Sequence, residues 1–275
     1  MQVFTDVAAA IAQLEVPEGN VAIFWLGQAF FVLKGADGTT MAIDPFFSDV
    51  VYDLVGIKRL FPAPFPAARL AVDSVVFTHD HVDHYDPKAV CQIAESAAQT
   101  LFVGPTSCLE HARRDGVENE RLIDMTQDQT IKVGAARLCA VYAEHLTVGG
   151  PATDAVGVVV ELGGIRLYHT GDTVYNAELQ RVGQQLNDID VLCVPINGNY
   201  AVMNSLDAAL YTKDVDPRVV IPMHYGMFAE NTADPYLFVR DLRDQEAGVR
   251  PVVMAVGSVY LYVQPVEGKH AETHR

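Results

Sequence analysis

The sequence predicts an α/β protein in which two packed β-sheets are covered by helices. Two observations carry that prediction. Apolar, β-branched runs of strand length come in two successive blocks, each followed by segments with helical spacing and capping residues. Half of the 275 residues are hydrophobic, enough for the core of a large sandwich. No internal repeat or linker divides the chain, so one domain over residues 1–275 is expected.

In order, Thr5 to Glu15 sets Val7, Ile11 and Leu14 at helical spacing, with Thr5 or Asp6 as cap and Pro17 beyond the end. Val21 to Leu26 and Ala29 to Lys34 read as strands on either side of Gly27. Gly35-Ala36-Asp37-Gly38 is a turn, and Thr39 to Asp44 a third strand of the same meander. Phe46 to Leu70 is irregular and rich in Pro and aromatics. A loop of that length is read either as a wall of a substrate pocket or as a solvated insertion. Ser74 to Phe77 is a buried strand. Asp86-Pro87 gives the cap and first residue of a helix to about Ala97. A short strand at Leu101 to Val103 and a helix from Pro105 to Asp115, stopped by Gly116, follow.

In the second block, Arg121 to Asp124, Gln129 to Val133 and Ala136 to Ala143 are successive strands. Ala155 to Leu162, Gly163-Gly164 and Ile165 to His169 form a hairpin pattern. Asn176 to Leu186 is helical, and Asp190 to Pro195 is a buried strand. Asn204 or Ser205 caps a helix through Tyr211, and Arg218 to Met223 is a strand. Asp234-Pro235 opens a helix to about Glu246. Pro251 to Ala255 and Ser258 to Val263 then finish the sheet. The polar tail from Glu267, with His270 and His274, is expected to be disordered and to hold no ligand.

The formal charge of −16 disfavours binding to nucleic acid or to an anionic membrane surface. No apolar run reaches the length of a membrane span. Met1 to Val16 lacks the basic start and apolar stretch of a secretion signal. Cys91, Cys108, Cys139 and Cys193 show no CxxC spacing and read as free thiols, which places the protein in the cytoplasm. The expected partner is a small-molecule substrate. Self-assembly is common at this size, but no feature sets a stoichiometry.

The chemistry concentrates in Thr78-His79-Asp80-His81-Val82-Asp83-His84, directly after the strand Ser74 to Phe77. One loop histidine would be a solvated residue. Three His and an Asp at alternating spacing bring imidazole and carboxylate donors together at little ordering cost, a set suited to zinc, manganese or iron. His111, on the helix from Pro105, reads as a surface or packing residue.

The His-x-His-x-Asp-His string resembles the signature of the metallo-β-lactamase-fold hydrolases. Candidates for the remaining ligands of that family follow in order: His145, then Asp172 in Thr170-Gly171-Asp172-Thr173, then His224 after the strand Arg218 to Met223. The resemblance implies a four-layer α/β/β/α sandwich and two divalent metal ions, zinc or manganese or iron. It places His79, His81 and His145 on one ion and Asp83, His84 and His224 on the other, with Asp172 bridging. A metal-activated hydroxide would then be the nucleophile. Asp83 is open to either a ligand or a proton-accepting role, and with Asp172 is the catalytic candidate. Asp44 resembles the family's early Asp, a supporting residue, and His169 is read as a hydrogen-bonding support or a packed histidine.

Phe24-Trp25-Leu26-Gly27-Gln28-Ala29, Gly56-Ile57-Lys58-Arg59-Leu60 and Val219-Val220-Ile221-Pro222-Met223-His224 resemble the subgroup containing L-ascorbate-6-phosphate lactonase. This chain is shorter than that lactonase at its N-terminus. The implied activity is metal-dependent hydrolysis of a lactone or other ester of a small, phosphorylated or unphosphorylated, metabolite, with a phosphodiesterase as the nearest alternative. Lys58 and Arg59 are read either as a phosphate grip or as a solvated loop. Asn197, Asn204 and Tyr225 are candidate substrate contacts, against the simpler roles of turn residue, helix cap and core aromatic. A di-iron redox protein of this fold would carry Glu in place of His81 and an added flavin domain. A noncatalytic scaffold would not keep a full ligand set.

Overall fold

The computed structural model of the chain describes residues 2–147, 150–152 and 154–265, so His270 and His274 lie outside the described residues. The first half comprises β1 (Gln2–Val3), α1 (Val7–Gln13), β2 (Asn20–Trp25), β3 (Phe31–Gly35), β4 (Thr40–Ile43), α2 (Val50–Val55), β5 (Ser74–Val76), α3 (Pro87–Ser96), β6 (Leu101–Gly104), α4 (Thr106–Arg114) and β7 (Leu122–Asp124). The second comprises β8 (Thr130–Val133), β9 (Ala136–Tyr142), β10 (His145–Thr147), β11 (Gly150–Ala152), β12 (Val156–Leu162), β13 (Ile165–His169) and α5 (Ala177–Gln185). It continues through β14 (Val191–Pro195), α6 (Ser205–Val215), β15 (Val219–Met223), α7 (Pro235–Asp244), β16 (Arg250–Pro251) and β17 (Ser258–Val263).

Two sheets result. The first runs β1-β17-β2-β3-β4-β5-β6-β7 and the second β16-β15-β14-β13-β12-β9-β8. Strand alternation decides how they stack, because successive side chains point to opposite faces. Ile23, Trp25, Phe31, Leu33 and Val76 enter the cluster shared with Leu138, Val158, Val160 and Leu167 of the second sheet. Their neighbours Ala22, Phe24, Val32 and Val75 enter a separate cluster with Val7 and Ile11 of α1 and Val90 and Ile93 of α3. Helices α5 and α6 meet over the second sheet, where the Tyr168 and Tyr211 hydroxyls lie 3.0 Å apart. The order is therefore helix, sheet, sheet, helix, as expected.

Local chemistry explains the elements. Asp6, Asp86, Asn176, Asn204 and Asp234 cap α1, α3, α5, α6 and α7 with their side chains, and α3 and α7 open on Pro. The unbroken apolar run Val191–Pro195 fits β14, which lies between two parallel neighbours and is buried throughout.

The structure departs from the sequence reading in several places. The segment read as irregular holds α2, ended by Gly56 in the left-handed conformation (φ 76°). Helix α6 runs past Tyr211 to Val215, because Val215 still faces the core and Asp216 supplies the left-handed stop. Of Pro251 to Ala255, only Pro251 pairs as strand, next to Arg250. The last strand, β17, joins the first sheet between β1 and β2, away from that pair.

Gly157 on β12 is held by its surroundings. A Cβ there would stand 2.9 Å from Tyr168 Cε2 and 3.1 Å from Val141 Cγ2, and the Tyr168 ring is tied to Tyr211. Gly157→Ala is expected to cost about 1–3 kcal/mol by overpacking, read as a fall of several degrees in melting temperature. An unchanged melting temperature would show that the second sheet and its helix layer yield more easily than this packing implies.

Candidate metal centre

The loop His79–His84 leaves the C-terminal end of β5, beside the end of β4, its parallel neighbour. Asp172 follows the end of β13 and His224 the end of β15, whose common neighbour β14 is parallel to both. Donors from both sheets thus meet at one edge of the sandwich. The two loops approach closely: Gly171 takes φ 63°, and a Cβ there would meet Thr78 Cβ at 3.0 Å. Within the first loop, the His84 and Tyr85 amides both donate to His81 O, which folds the histidines back on one another.

The donor atoms converge. His79 Nε2 and His145 Nε2 each lie 3.0 Å from His81 Nδ1. His84 Nε2 and His224 Nε2 are 3.3 Å apart, and Asp83 Oδ2 is 3.8 and 3.6 Å from them. Asp172 Oδ2 stands between the two sets, 3.2 Å from His224 Nε2, 3.4 Å from His84 Nε2 and 3.9 Å from His145 Nε2. Metal-type triads are formed by His79, His81 and His145, by Asp83, His84 and His224, and by His79, His84 and Asp172.

Asp44 organises the inner side of the cluster. Its buried carboxylate accepts from the Thr78 amide (2.8 Å) and hydroxyl (2.7 Å) and from His84 Nδ1 (2.7 Å). Because Thr78 Oγ1 donates to Asp44, it accepts from His79 Nδ1 at 3.0 Å. His145 Nδ1 donates to Ala201 O at 3.2 Å. In neutral His79, His84 and His145 these bonds fix the proton on Nδ1 and leave the Nε2 lone pair facing the cluster. Lone pairs at such spacing repel unless a cation lies among them. Asp172 Oδ1 is also buried without a partner. The residues present therefore fit a divalent metal.

Electrostatics agree. Burial alone would lower His84, but Asp172, Asp83 and Asp44 outweigh it and hold its pKa well above the ordinary value. Burial, and then the neighbouring His84, lower His79 well below that value; burial and His145 lower His81. Burial would raise the Asp172 carboxyl, yet His224 and His84 keep it well below the usual range, and Asp83 is lowered in the same way.

Gln28 is the functional residue the motif did not show. Its Nε2 donates to Asp83 Oδ2 at 2.9 Å and lies 3.0 Å from His224 Nδ1, while its carbonyl accepts from Trp25 Nε1 and the His224 amide. The only signal for it was the Phe24–Ala29 string, which carried the subgroup resemblance. Gln28, Asp44 and His224 all take positive φ (54°, 49° and 65°), backbone strain that non-glycine residues rarely accept away from functional sites.

A cavity of about 440 Å³ opens on the cluster. Val51, Val55, Ile57, Val202 and Phe228 form its apolar side, and Asn197 and Asn231 its polar side. The Phe46 to Leu70 segment thus does contribute a wall, although neither Lys58 nor Arg59 is among its described lining residues. Lys58 is exposed and outside the lining. Arg59 is buried, donates to Phe47 O and Ser48 O, and stacks on Phe46, so it braces the wall from behind instead of gripping a phosphate.

Asn197 lines the cavity; Asn204 caps α6 outside it. Tyr225 is a core residue, against Trp25 at 4.6 Å with its hydroxyl on Met254 O. His169 donates from Nε2 to Ala29 O and accepts the Gly171 amide on Nδ1, which supports the turn before Asp172. His111 packs on Tyr85 near Asp80, apart from the donor triads.

A family model described as the beta-lactamase superfamily domain matches residues 22–224. The chain belongs to the metallo-β-lactamase superfamily. Among relatives, a UPF0173 protein of Pyrococcus furiosus is 31% identical over 227 residues, covering 82% of this chain and 93% of its own. A probable L-ascorbate-6-phosphate lactonase of Salmonella heidelberg is 26% identical over 314 aligned positions, covering 96% of this chain and 86% of its own. The structure of Igni18, a metallo hydrolase from Ignicoccus hospitalis, superposes with a TM-score of 0.69 at 25% identity, covering 88% and 98% of the two chains. UPF0173 metal-dependent hydrolases are among its relatives, and the chain is a metal-dependent hydrolase of this superfamily whose His/Asp cluster could hold a metal.

Two outcomes are expected at this cluster. His81→Ala should lower metal content measured by plasma emission while the circular dichroism spectrum is retained; full metal retention would relocate the site. His84, with its raised pKa, must give up its proton to a metal, whereas burial makes His79 and His81 lose theirs more readily. In the metal-free protein the charged His84 stabilises below the ordinary imidazole pKa, and that contribution is lost as pH rises through its raised value. The increase in melting temperature on adding zinc or manganese should therefore grow from pH 6.5 to pH 8.5; a pH-independent increase would contradict this.

Proposed function

We propose that this metal-dependent hydrolase opens lactones, or cleaves comparable esters, of small uncharged metabolites, using two divalent ions held by the paired ligand sets, zinc or manganese. The observation that carries the reading is the cavity wall. Val51, Val55, Ile57, Val202 and Phe228 offer apolar surface beside the donor cluster, and no Lys or Arg is among the described lining residues. The similarity to the probable lactonase supports the ester class. The burial of Arg59 and the position of Lys58 turn the preference away from phosphorylated substrates and from phosphodiesters.

Bound ions supply Lewis acidity towards a carbonyl oxygen and lower the pKa of water towards neutrality. The chain's own residues do the rest. Gln28 donates to Asp83 Oδ2 and orients that carboxylate, which with His84 and His224 would hold one ion and position the attacking water. Asp172, ionised and buried, balances the charge between the two histidine sets. Water adds to the acyl carbon, the ring C–O bond breaks, and the proton passes to the leaving oxygen.

The test is turnover by zinc- or manganese-loaded protein of δ-valerolactone, L-ascorbate-6-phosphate and bis(p-nitrophenyl) phosphate. The uncharged lactone should be preferred by about tenfold or more in kcat/KM, or ~1.4 kcal/mol. Preference for the diester would move the assignment to a phosphodiesterase, and preference for the phosphorylated lactone would refute the uncharged substrate.

A further inference from the structure

The polar side of the cavity is built from two amides that no ligand set uses, Asn197 and Asn231, with a third, Asn199, behind them. Asn231 lies in the loop between β15 and α7, and Asn197 and Asn199 in the loop after β14. Asn197 Nδ2 donates to Asn231 Oδ1 at 2.9 Å, and Asn199 Nδ2 donates to the same oxygen at 3.2 Å. Two amide donors thus occupy Asn231 Oδ1, which fixes the rotation of that amide and turns its Nδ2 the other way. Asn231 is more than nine-tenths buried and lines the cavity together with His81, Asp83, His145, Asp172 and His224. Its Nδ2 makes no hydrogen bond to any other described residue. Asn197 Oδ1 is likewise buried without a partner. Asn231 Nδ2 is thus a donor left free for a molecule in the cavity, where the solvent that it meets can be exchanged for an acceptor of the ligand.

We propose that Asn231 is a substrate-binding residue, aligned by Asn197 and Asn199, whose amide donates to an acceptor oxygen of an uncharged ester in the cavity. This rests on the ester-hydrolase reading and deepens it. A neutral donor opposite an apolar wall selects a compact molecule with one carbonyl-type acceptor and an aliphatic remainder. An added anionic group would find no Lys or Arg side chain among the described lining residues to pair with it at this end of the cavity.

The experiment compares wild type with Asn231→Asp and Asn231→Ala, after metal content and melting temperature have been matched. Turnover of δ-valerolactone is measured alongside ¹⁵N–¹H spectra of the side-chain amides on titration with δ-valerolactam, a ring of the same shape with a carbonyl acceptor. Loss of about tenfold or more in kcat/KM in both variants is expected, together with a lactam-dependent downfield shift of the Asn231 NH₂ resonance in wild type. Asn199→Ala removes one of the two aligning bonds and should give a smaller loss, which keeps the test open if neither Asn231 variant folds.

Unchanged kcat/KM in the variants, or lactam shifts at Val51 and Val202 with none at Asn231, overturns the proposal and leaves the ester-hydrolase reading standing. A shift at Asn231 with no wild-type turnover of the lactone refutes that reading and keeps the binding site. No shift and no turnover removes both.

Discussion

The buried carboxylate of Asp44 is the constraint on which the centre depends. It sits fully out of solvent at the end of β4, and one group takes the Thr78 amide, the Thr78 hydroxyl and His84 Nδ1. A buried anion is tolerated only when its lone pairs are satisfied, so the first residue of the metal loop and one of its histidines cannot leave that position cheaply. Through Thr78 the same carboxylate also sets the proton on His79. Two imidazoles on different sides of the cluster thus take their orientation from a residue outside every donor triad.

That arrangement has an energetic counterpart in the backbone. Gln28, Asp44 and His224 occupy the left-handed region, at a cost on the order of 1 kcal/mol or more each, and all three hold or orient donors. The surrounding sheets over-determine these conformations. Phe31 packs edge-on against His169 at 5.6 Å, and His169 in turn supports the Asp172 turn, so core packing between the layers continues directly into the site.

Much of this was legible in the sequence. Capping residues at Asp86, Asn176, Asn204 and Asp234 mark helix starts through local hydrogen bonding, and strand alternation marks the layers. The spacing within His79–His84 pointed to a metal by itself, whereas His145, Asp172 and His224 were found through the family resemblance that this string carries. What failed has a common cause. Arg59 and Lys58 were weighed by charge, but burial behind Phe46 decides what Arg59 does. Helix α2 was hidden because Val50, Val51 and Val55 have low helical preference, and packing against Phe46, Met227 and Phe228 overrides it. Asn231 carries no motif at all; only the meeting of two loops distant in sequence makes it stand out.

Strand β17 lies between β1 and β2, paired along Asn20–Trp25 over six residues of each strand. Until that late segment arrives, one flank of β2 has no hydrogen-bonding partner, and the Trp25 carbonyl lacks the Gly257 amide that it accepts. The first sheet therefore closes only after Ser258–Val263 has been made, more than two hundred residues after its partner Asn20–Trp25. Closure across so many intervening residues makes for slow, nonlocal folding. It also ties the chain's last steps to its centre, since Trp25 anchors Gln28, which orients Asp83 and touches His224. A nascent chain that holds every donor from His79 to His224 still lacks the strand that steadies them.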